Sequence, residues 1–298
     1  MSLSKYFKPI PSPYSSSPSP SRQNPPSLAR HDSDPDQREK LRSIAKETSR
    51  ISRDLLQQLS PTDAQKAQTI TRHTLDTLRR LDPNLCPSHS HPATIKVLNQ
   101  DTLTAALSIP PGRGPGGSTP PLIVNFANRH SPGGGWRNGA VAQEESLCYR
   151  STLATLTLDT TPYPLARNEA LYSPYVLVLR DEMARGHALL APPYPVVSVA
   201  TVAAINGPEV AAFVVPDGKG GRREKGVFAS DRERGFTKDK MRLVLRNPPE
   251  DVAWCWREVL GEEEFTGGWW REVVFAVFDK TGEGNFEVFR GVLDGMRV

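Results

Sequence analysis

The run SPGGGWRNGAVAQEESLCYRSTL, Ser131 to Leu153, most constrains what this chain can become, because a triple glycine follows an apolar stretch and precedes two adjacent carboxylates. Gly133, Gly134 and Gly135 have no Cβ, so the backbone there can take positive φ, approach a ligand closely and aim successive N–H groups at an anion. Such a loop suits a phosphate or diphosphate. The apolar stretch before it, Leu122 to Ala127, reads as a strand, and Gln143, Glu144 and Glu145 open a segment of helical spacing with Leu147, Leu153 and Leu156 apolar. The positive end of a helix favours carboxylates.

Two carboxylates beside a phosphate cradle point to acid chemistry on a phosphorylated sugar. Cleaving a glycosidic bond needs one carboxylic acid to protonate the leaving oxygen and a carboxylate to steady the oxocarbenium-like charge or activate water. Neighbours in sequence leave the backbone in different directions, so Glu144 and Glu145 are expected to divide these roles unequally. The plainer reading of the same residues is a glycine turn followed by a helix that is acidic in its first turn for dipole reasons.

The longer block VNFANRHSPGGGWRNGAVAQEESLCYRSTL resembles the signature of the microbial-type poly(ADP-ribose) glycohydrolases, a branch of the macrodomain fold. The likeness extends to RSIAKET (Arg42 to Thr48), LNQDTLTAA (Leu98 to Ala106), LYSPYVLVLRDE (Leu171 to Glu182), VVSVATVAAINGPEV (Val196 to Val210) and VVFAVFDKTGEGNFEVF (Val273 to Phe289), all in family order. It implies a macrodomain-like three-layer α/β/α sandwich with an N-terminal helical extension, hydrolysing the ribose–ribose bond of poly(ADP-ribose) and releasing ADP-ribose from chain ends without metal or other cofactor. By the same resemblance, Gly133 to Gly135 hold the diphosphate and proximal ribose edge, and Asn128 hydrogen-bonds that ribose. Glu145 is the acid and later the base that activates water, Glu144 orients the hydroxyls of the linkage, and Gln143 keeps the loop in shape. The acid role requires a raised pKa, and a second carboxylate nearby acts in that direction.

The likeness breaks at one place. After the stretch Lys238 to Leu245, the family pattern has a further buried strand and a second glycine-rich loop, whereas here Arg246 runs directly into Asn247-Pro248-Pro249. A strand and half of the ligand cradle are therefore expected to be lacking near 246–247, either through deletion or through a defective gene model. This keeps open two alternatives: an ADP-ribose-binding module with little or no turnover, and hydrolysis of a mono-ADP-ribosyl linkage.

Charge and composition add bounds. A formal charge of +4 and a pI near 9.0 suit a polyanionic partner, poly(ADP-ribose) or an ADP-ribosylated protein, although much of the excess lies in an acid-free N-terminal stretch. No apolar run approaches the ~18 residues of a membrane span, and a monomer is expected. Cys86, Cys148 and Cys255 are odd in number and far apart, which favours free thiols in a reducing compartment, cytoplasmic or nuclear.

Residues 1–35 carry seven prolines and nine serines before His31 and read as a disordered tail ahead of a single domain, 36–298. A transit peptide is the rival reading, opposed by those prolines. From Asp36 the recurrence of Leu41, Ile44, Ala45, Thr48, Ile51, Leu55 and Leu59 predicts one helix, ended by Pro61, with a second from Thr62 to Leu81. Strands are expected at Thr94–Leu98, Leu122–Ala127, Tyr175–Arg180, Val196–Ala203 and Val273–Phe278, giving a mixed or mostly parallel sheet with ligands at its carboxyl ends.

Gly112, Gly114 and Gly117 read as an insertion loop, not a dinucleotide fingerprint, because prolines flank them. Cys86, His89 and His91 lack an evident fourth metal ligand, and the basic run Lys219 to Lys225 reads as a solvated loop or a polyanion guide. Phe278 either packs in the core or touches the adenosine.

Overall fold

The structure is a computed structural model that describes residues 34–86, 91–110, 112–114, 117–203, 210–216, 222–228, 231–245, 259–278 and 285–298. Helix α1 runs Pro35–Gln58. Asp34 caps it, accepting from the Asp36 amide at 3.2 Å, and a proline fills the first turn, where no N–H partner is needed. Its buried face, Leu41, Ile44, Ala45, Thr48, Ser49 and Ser52, follows the predicted spacing but turns from apolar to hydroxylic along its length. The hydroxyls are satisfied: Thr48 Oγ1 donates to the Tyr149 carbonyl at 2.9 Å and Ser52 Oγ to the Thr48 carbonyl at 2.8 Å.

The second helix is shorter than its predicted span. Helix α2 covers Pro61–Gln68, and the following residues form a strand, β1, Thr71–Thr74, antiparallel to a partner about a hundred residues away. Its β-branched threonines suit an extended edge, and the pairing that selects this state is invisible to a local periodicity. The remaining elements are β2 (Ile95–Leu98), α3 (Thr102–Ser108), β3 (Gly112–Gly114), β4 (Gly117–Thr119), β5 (Leu122–Ala127), α4 (Gln143–Arg150), α5 (Leu153–Leu156), β6 (Glu169–Leu177), β7 (Val196–Ala203), β8 (Val210–Pro216), β9 (Arg222–Phe228), α6 (Asp231–Leu245), β10 (Val273–Ala276) and α7 (Asn285–Leu293).

The central sheet has the order β1-β6-β7-β5, with β5 parallel to β7 and the other two pairings antiparallel; β10 and β2 form a separate parallel pair. Side-chain alternation along the strands feeds two cores, one on each face. Ile123 and Ala127 of β5 with Val197, Val199 and Ala203 of β7 pack toward α1, α4 and α5, whereas Val124 and Val202 pack toward β2, β10, α6 and α7. The result is a mixed α/β fold with its sheet between helices.

Several predicted boundaries move. The strand expected at Tyr175–Arg180 begins at Glu169 and ends at Leu177, with a register shift between Ser173 and Val176 around Pro174, which has no N–H for a ladder. The strand expected to reach Phe278 stops at Ala276. The expected glycine insertion loop is a short hairpin, β3 with β4, and the basic run from Arg222 onward lies in β9, paired with β8. Residues 1–33 and the junction of Arg246 with Asn247 lie outside the described residues, as do the strand and loop expected to be lacking there. Among the described residues, β5 and β10 have one strand partner each.

Candidate active site

Strand β5 delivers its carboxyl end to Asn128, whose Oδ1 accepts from the amides of His130 at 2.8 Å and Ser131 at 3.1 Å, folding the chain back into the glycine loop. Gly133 (φ 70°) and Gly134 (φ 57°) are both left-handed, a conformation that non-glycine residues rarely adopt. A Cβ on Gly134 would lie 2.4 Å from Glu145 Oε1 and 3.1 Å from Glu144 Oε2. Glycine is needed here because the carboxylates themselves lean on the loop. The amides are similarly engaged, Gly134 with the Ser131 carbonyl at 3.0 Å and Gly135 with Glu145 Oε1 at 2.8 Å, so the expected anion donors first serve the protein's own oxygens.

Helix α4 fixes the carboxylates through its first residue. Gln143 donates from Nε2 to the Val124 carbonyl at 2.6 Å and accepts the Phe126 amide at 3.0 Å, pairing with β5 as a neighbouring strand would. Glu144 is 3% exposed and has both oxygens occupied: Oε1 accepts from Asn125 Nδ2 at 3.3 Å and Oε2 from the Asn128 amide at 2.7 Å. Glu145, 8% exposed, accepts the Gly135 amide on Oε1, and its other oxygen makes no hydrogen bond among the described residues. The two carboxylates thus differ in what they are free to do.

Burial pushes the Glu144 carboxyl up to about 7, with Glu145 adding to the rise and the Asn128 amide and the Asn125 side chain opposing it. A folded-state pKa above the ordinary carboxylate value means that the native state holds its proton longer, so stability falls as pH rises from about 4.5 to about 7 and levels off above. The span corresponds to about 3 kcal/mol. Glu144→Gln removes the titration, and a flip of the Asn125 amide, whose Oδ1 is buried without a partner, gives the new Nε2 an acceptor. The variant's melting temperature relative to the parent is expected to rise by roughly 5–10 °C between pH 5 and pH 8; a pH-independent difference in paired thermal melts would refute this.

The site is braced from behind. Trp136 is fully buried, and the Tyr149 hydroxyl lies 2.7 Å from the Trp136 carbonyl and 2.9 Å from that of Ala140, tying α4 back to the glycine loop. Arg150, also buried, pairs with Asp101, which caps α3, and its Nε donates to the Arg180 carbonyl at 3.2 Å. Gly139 (φ 80°) leaves room for α1, since a Cβ there would meet the Arg38 carbonyl at 2.6 Å.

The structure therefore brings Asn128, Gly133, Gly134, Gly135, Gln143, Glu144 and Glu145 together. Phe278 is 59% exposed and is not a core residue. Asn125, Tyr149, Arg150 and Asp101 are the supporting residues that the sequence reading missed. Asn125 carried a signal, being the polar member of the apolar strand LIVNFA on the face shared by Ile123 and Ala127. Among the described residues, no cluster of three or more His, Cys, Asp or Glu side chains is arranged to hold a metal, and no helix is long and apolar enough to cross a membrane. His89 lies outside the described residues, and Cys86 Sγ sits 3.5 Å from the Gly267 carbonyl.

The model of the family described as "Microbial-type PARG, catalytic domain" matches residues 37–181, which include most of α1, the glycine loop and both glutamates. The fold is similar to that of the poly(ADP-ribose) glycohydrolase from Thermomonospora curvata, with a TM-score of 0.58 at 23% identity over 85% of this chain and 99% of that one. It is also similar to the poly(ADP-ribose) glycohydrolase from Deinococcus radiodurans in complex with ADP-ribose, with a TM-score of 0.53 at 24% identity over 79% of this chain and 98% of that one. No curated protein matches the sequence. With its carboxylate pair seated on the glycine loop and a sheet of the same architecture, the chain is homologous, over residues 37–181, to the microbial-type PARG catalytic domain.

Proposed function

We propose that this chain hydrolyses the ribose–ribose O-glycosidic bond of poly(ADP-ribose) and releases ADP-ribose from chain ends. The observation that carries the reading is the unequal anchoring of two buried adjacent carboxylates on one glycine loop. Glu145, with one oxygen unengaged at the end of the pair, donates its proton to the leaving ribose oxygen and, as the carboxylate, then activates water. Glu144, held by Asn125 and Asn128, orients the hydroxyls of the linkage.

The backbone of Gly133 to Gly135 backs the diphosphate and proximal ribose. Asn128, whose Oδ1 is committed to its own loop, offers Nδ2 to the ribose, and the exposed ring of Phe278 meets the adenosine. Incubating purified protein with labelled polymer, and following free ADP-ribose beside a calorimetric titration with ADP-ribose, tests the reading. Release of ADP-ribose is expected; polymer that is bound but left intact would favour the binding module over the enzyme.

A further inference from the structure

Beyond the carboxylates, a cluster of cations stands at the same end of β5. Arg129 follows Asn128 directly, and its Nε donates to the Leu165 carbonyl at 2.9 Å while the Leu165 amide donates back to the Arg129 carbonyl at 2.9 Å, fastening the two loops side by side. Two residues on, the Arg167 guanidinium lies over the Phe236 ring of α6, 4.8 Å from its centroid, and the Arg232 guanidinium lies 5.4 Å from the same ring. Lys240, one helical turn further along α6, completes the group. Its ammonium is pushed down to about 8, by burial first and then by Arg167 and Arg129.

The described acids nearby are engaged elsewhere. Glu169 is taken by Arg72 at 2.5 Å and by the Ala166 amide at 2.6 Å, while Asp239 and Glu262 pair with Arg242 at 2.8 and 2.6 Å. Among the described residues, no carboxylate forms an ion pair with Arg129, Arg167, Arg232 or Lys240. Two guanidiniums over one aromatic ring, with a third and a half-buried ammonium in the same group, cost stability and suit an anion with a ring attached.

We propose that Arg129, Arg167, Arg232, Lys240 and Phe236 form a subsite for the second unit of a poly(ADP-ribose) chain, the cations taking its diphosphate. This rests on the proposed function, because the bond cut there joins the terminal unit to the next. The next unit must leave the site beside the glutamates, and Arg129 begins one residue beyond the amide that holds Glu144 at 2.7 Å. ADP-ribose alone fills the terminal site and leaves the cluster empty. Polymer reaches both.

The test compares ADP-ribose with polymer of defined length, both binding to Glu145→Gln protein so that no polymer is consumed, with and without Arg167→Gln and Lys240→Gln together. ADP-ribose affinity is expected to stay within about twofold, whereas polymer affinity falls by at least roughly tenfold, as loss of charge-assisted hydrogen bonds to phosphate implies. The dependence of polymer affinity on salt also becomes shallower, by about 0.7 in the log–log slope for each phosphate that is no longer neutralised.

Arg232→Gln, at an exposed side chain that cannot compromise folding much, should give a smaller loss in the same direction. Unchanged polymer affinity, or equal losses for ADP-ribose and polymer, would overturn the subsite while leaving the glycohydrolase reading intact. Losses toward single-stranded RNA as large as those toward polymer, with polymer hydrolysis unaltered in the Glu145 protein, would reassign the cluster to nucleic acid and overturn it too. A parent protein that binds neither ADP-ribose nor polymer removes the function and the subsite together.

Discussion

Glu145→Gln is expected to lower poly(ADP-ribose) hydrolysis by at least the ~10²-fold typical of losing a general acid, with ADP-ribose binding retained. The geometry explains why the two effects separate. Oε1 of Glu145 accepts the Gly135 amide at 2.8 Å, and a glutamine oxygen accepts the same proton, so the loop keeps its shape. What the amide cannot do is release a proton to the leaving ribose oxygen or recover one from water. Turnover in the variant equal to that of the parent, measured as labelled ADP-ribose released per unit time, would remove Glu145 from the chemistry.

The parts of this fold that are legible in the sequence are those whose signal is local. Val196–Ala203 is a near-continuous apolar run that could only be a doubly covered strand, and it is β7 with the expected boundaries. Leu122–Ala127 is β5 for the same reason, and α1 shows itself through its spacing. Thr71–Thr74 falls inside a span whose local pattern predicts helix, because its strand state depends on Glu169–Tyr172 lying opposite it, a partner that no local window contains. The same divide runs through the site. Gly133 to Glu145 form one short sequence block, so this group is legible as a motif. Asp101, Asn125, Arg150 and Arg180 are scattered, and their hydrogen bonds exist only after the sheet and helices have met.

Even within the motif, atoms are not legible. Three glycines in a row suggest donors free for an anion, whereas the amides of Gly134 and Gly135 already serve Ser131 and Glu145. Spacing identifies a flexible loop near carboxylates; it does not say which atoms touch.

Gly134→Ala tests the closeness of the loop to the carboxylates directly, and its expected effect on hydrolysis is as large as that of removing the acid. At φ 57°, alanine pays the left-handed penalty of about 1–2 kcal/mol, which a protein of this size tolerates. The larger effect is positional, since the new Cβ would stand 2.4 Å from Glu145 Oε1 and 3.1 Å from Glu144 Oε2, so both carboxylates must retreat. A slip of about 1 Å in a catalytic group can cost ~10²-fold in rate. We expect kcat to fall by that order with only a modest drop in melting temperature. The neighbouring glycines sort differently. A Cβ on Gly133 meets the Trp136 ring at 2.7 Å and Cys148 Sγ at 3.1 Å, so Gly133→Ala should lose stability first; on Gly135 it meets the Ala140 Cβ at 2.8 Å and reaches Glu145 only at 3.7 Å, so Gly135→Ala should retain more activity than Gly134→Ala. If the glycines served only to let a diphosphate approach, Gly134→Ala would raise the Kd for ADP-ribose and leave kcat at saturating polymer unchanged. That outcome would show that the carboxylates do not depend on Gly134 for their position.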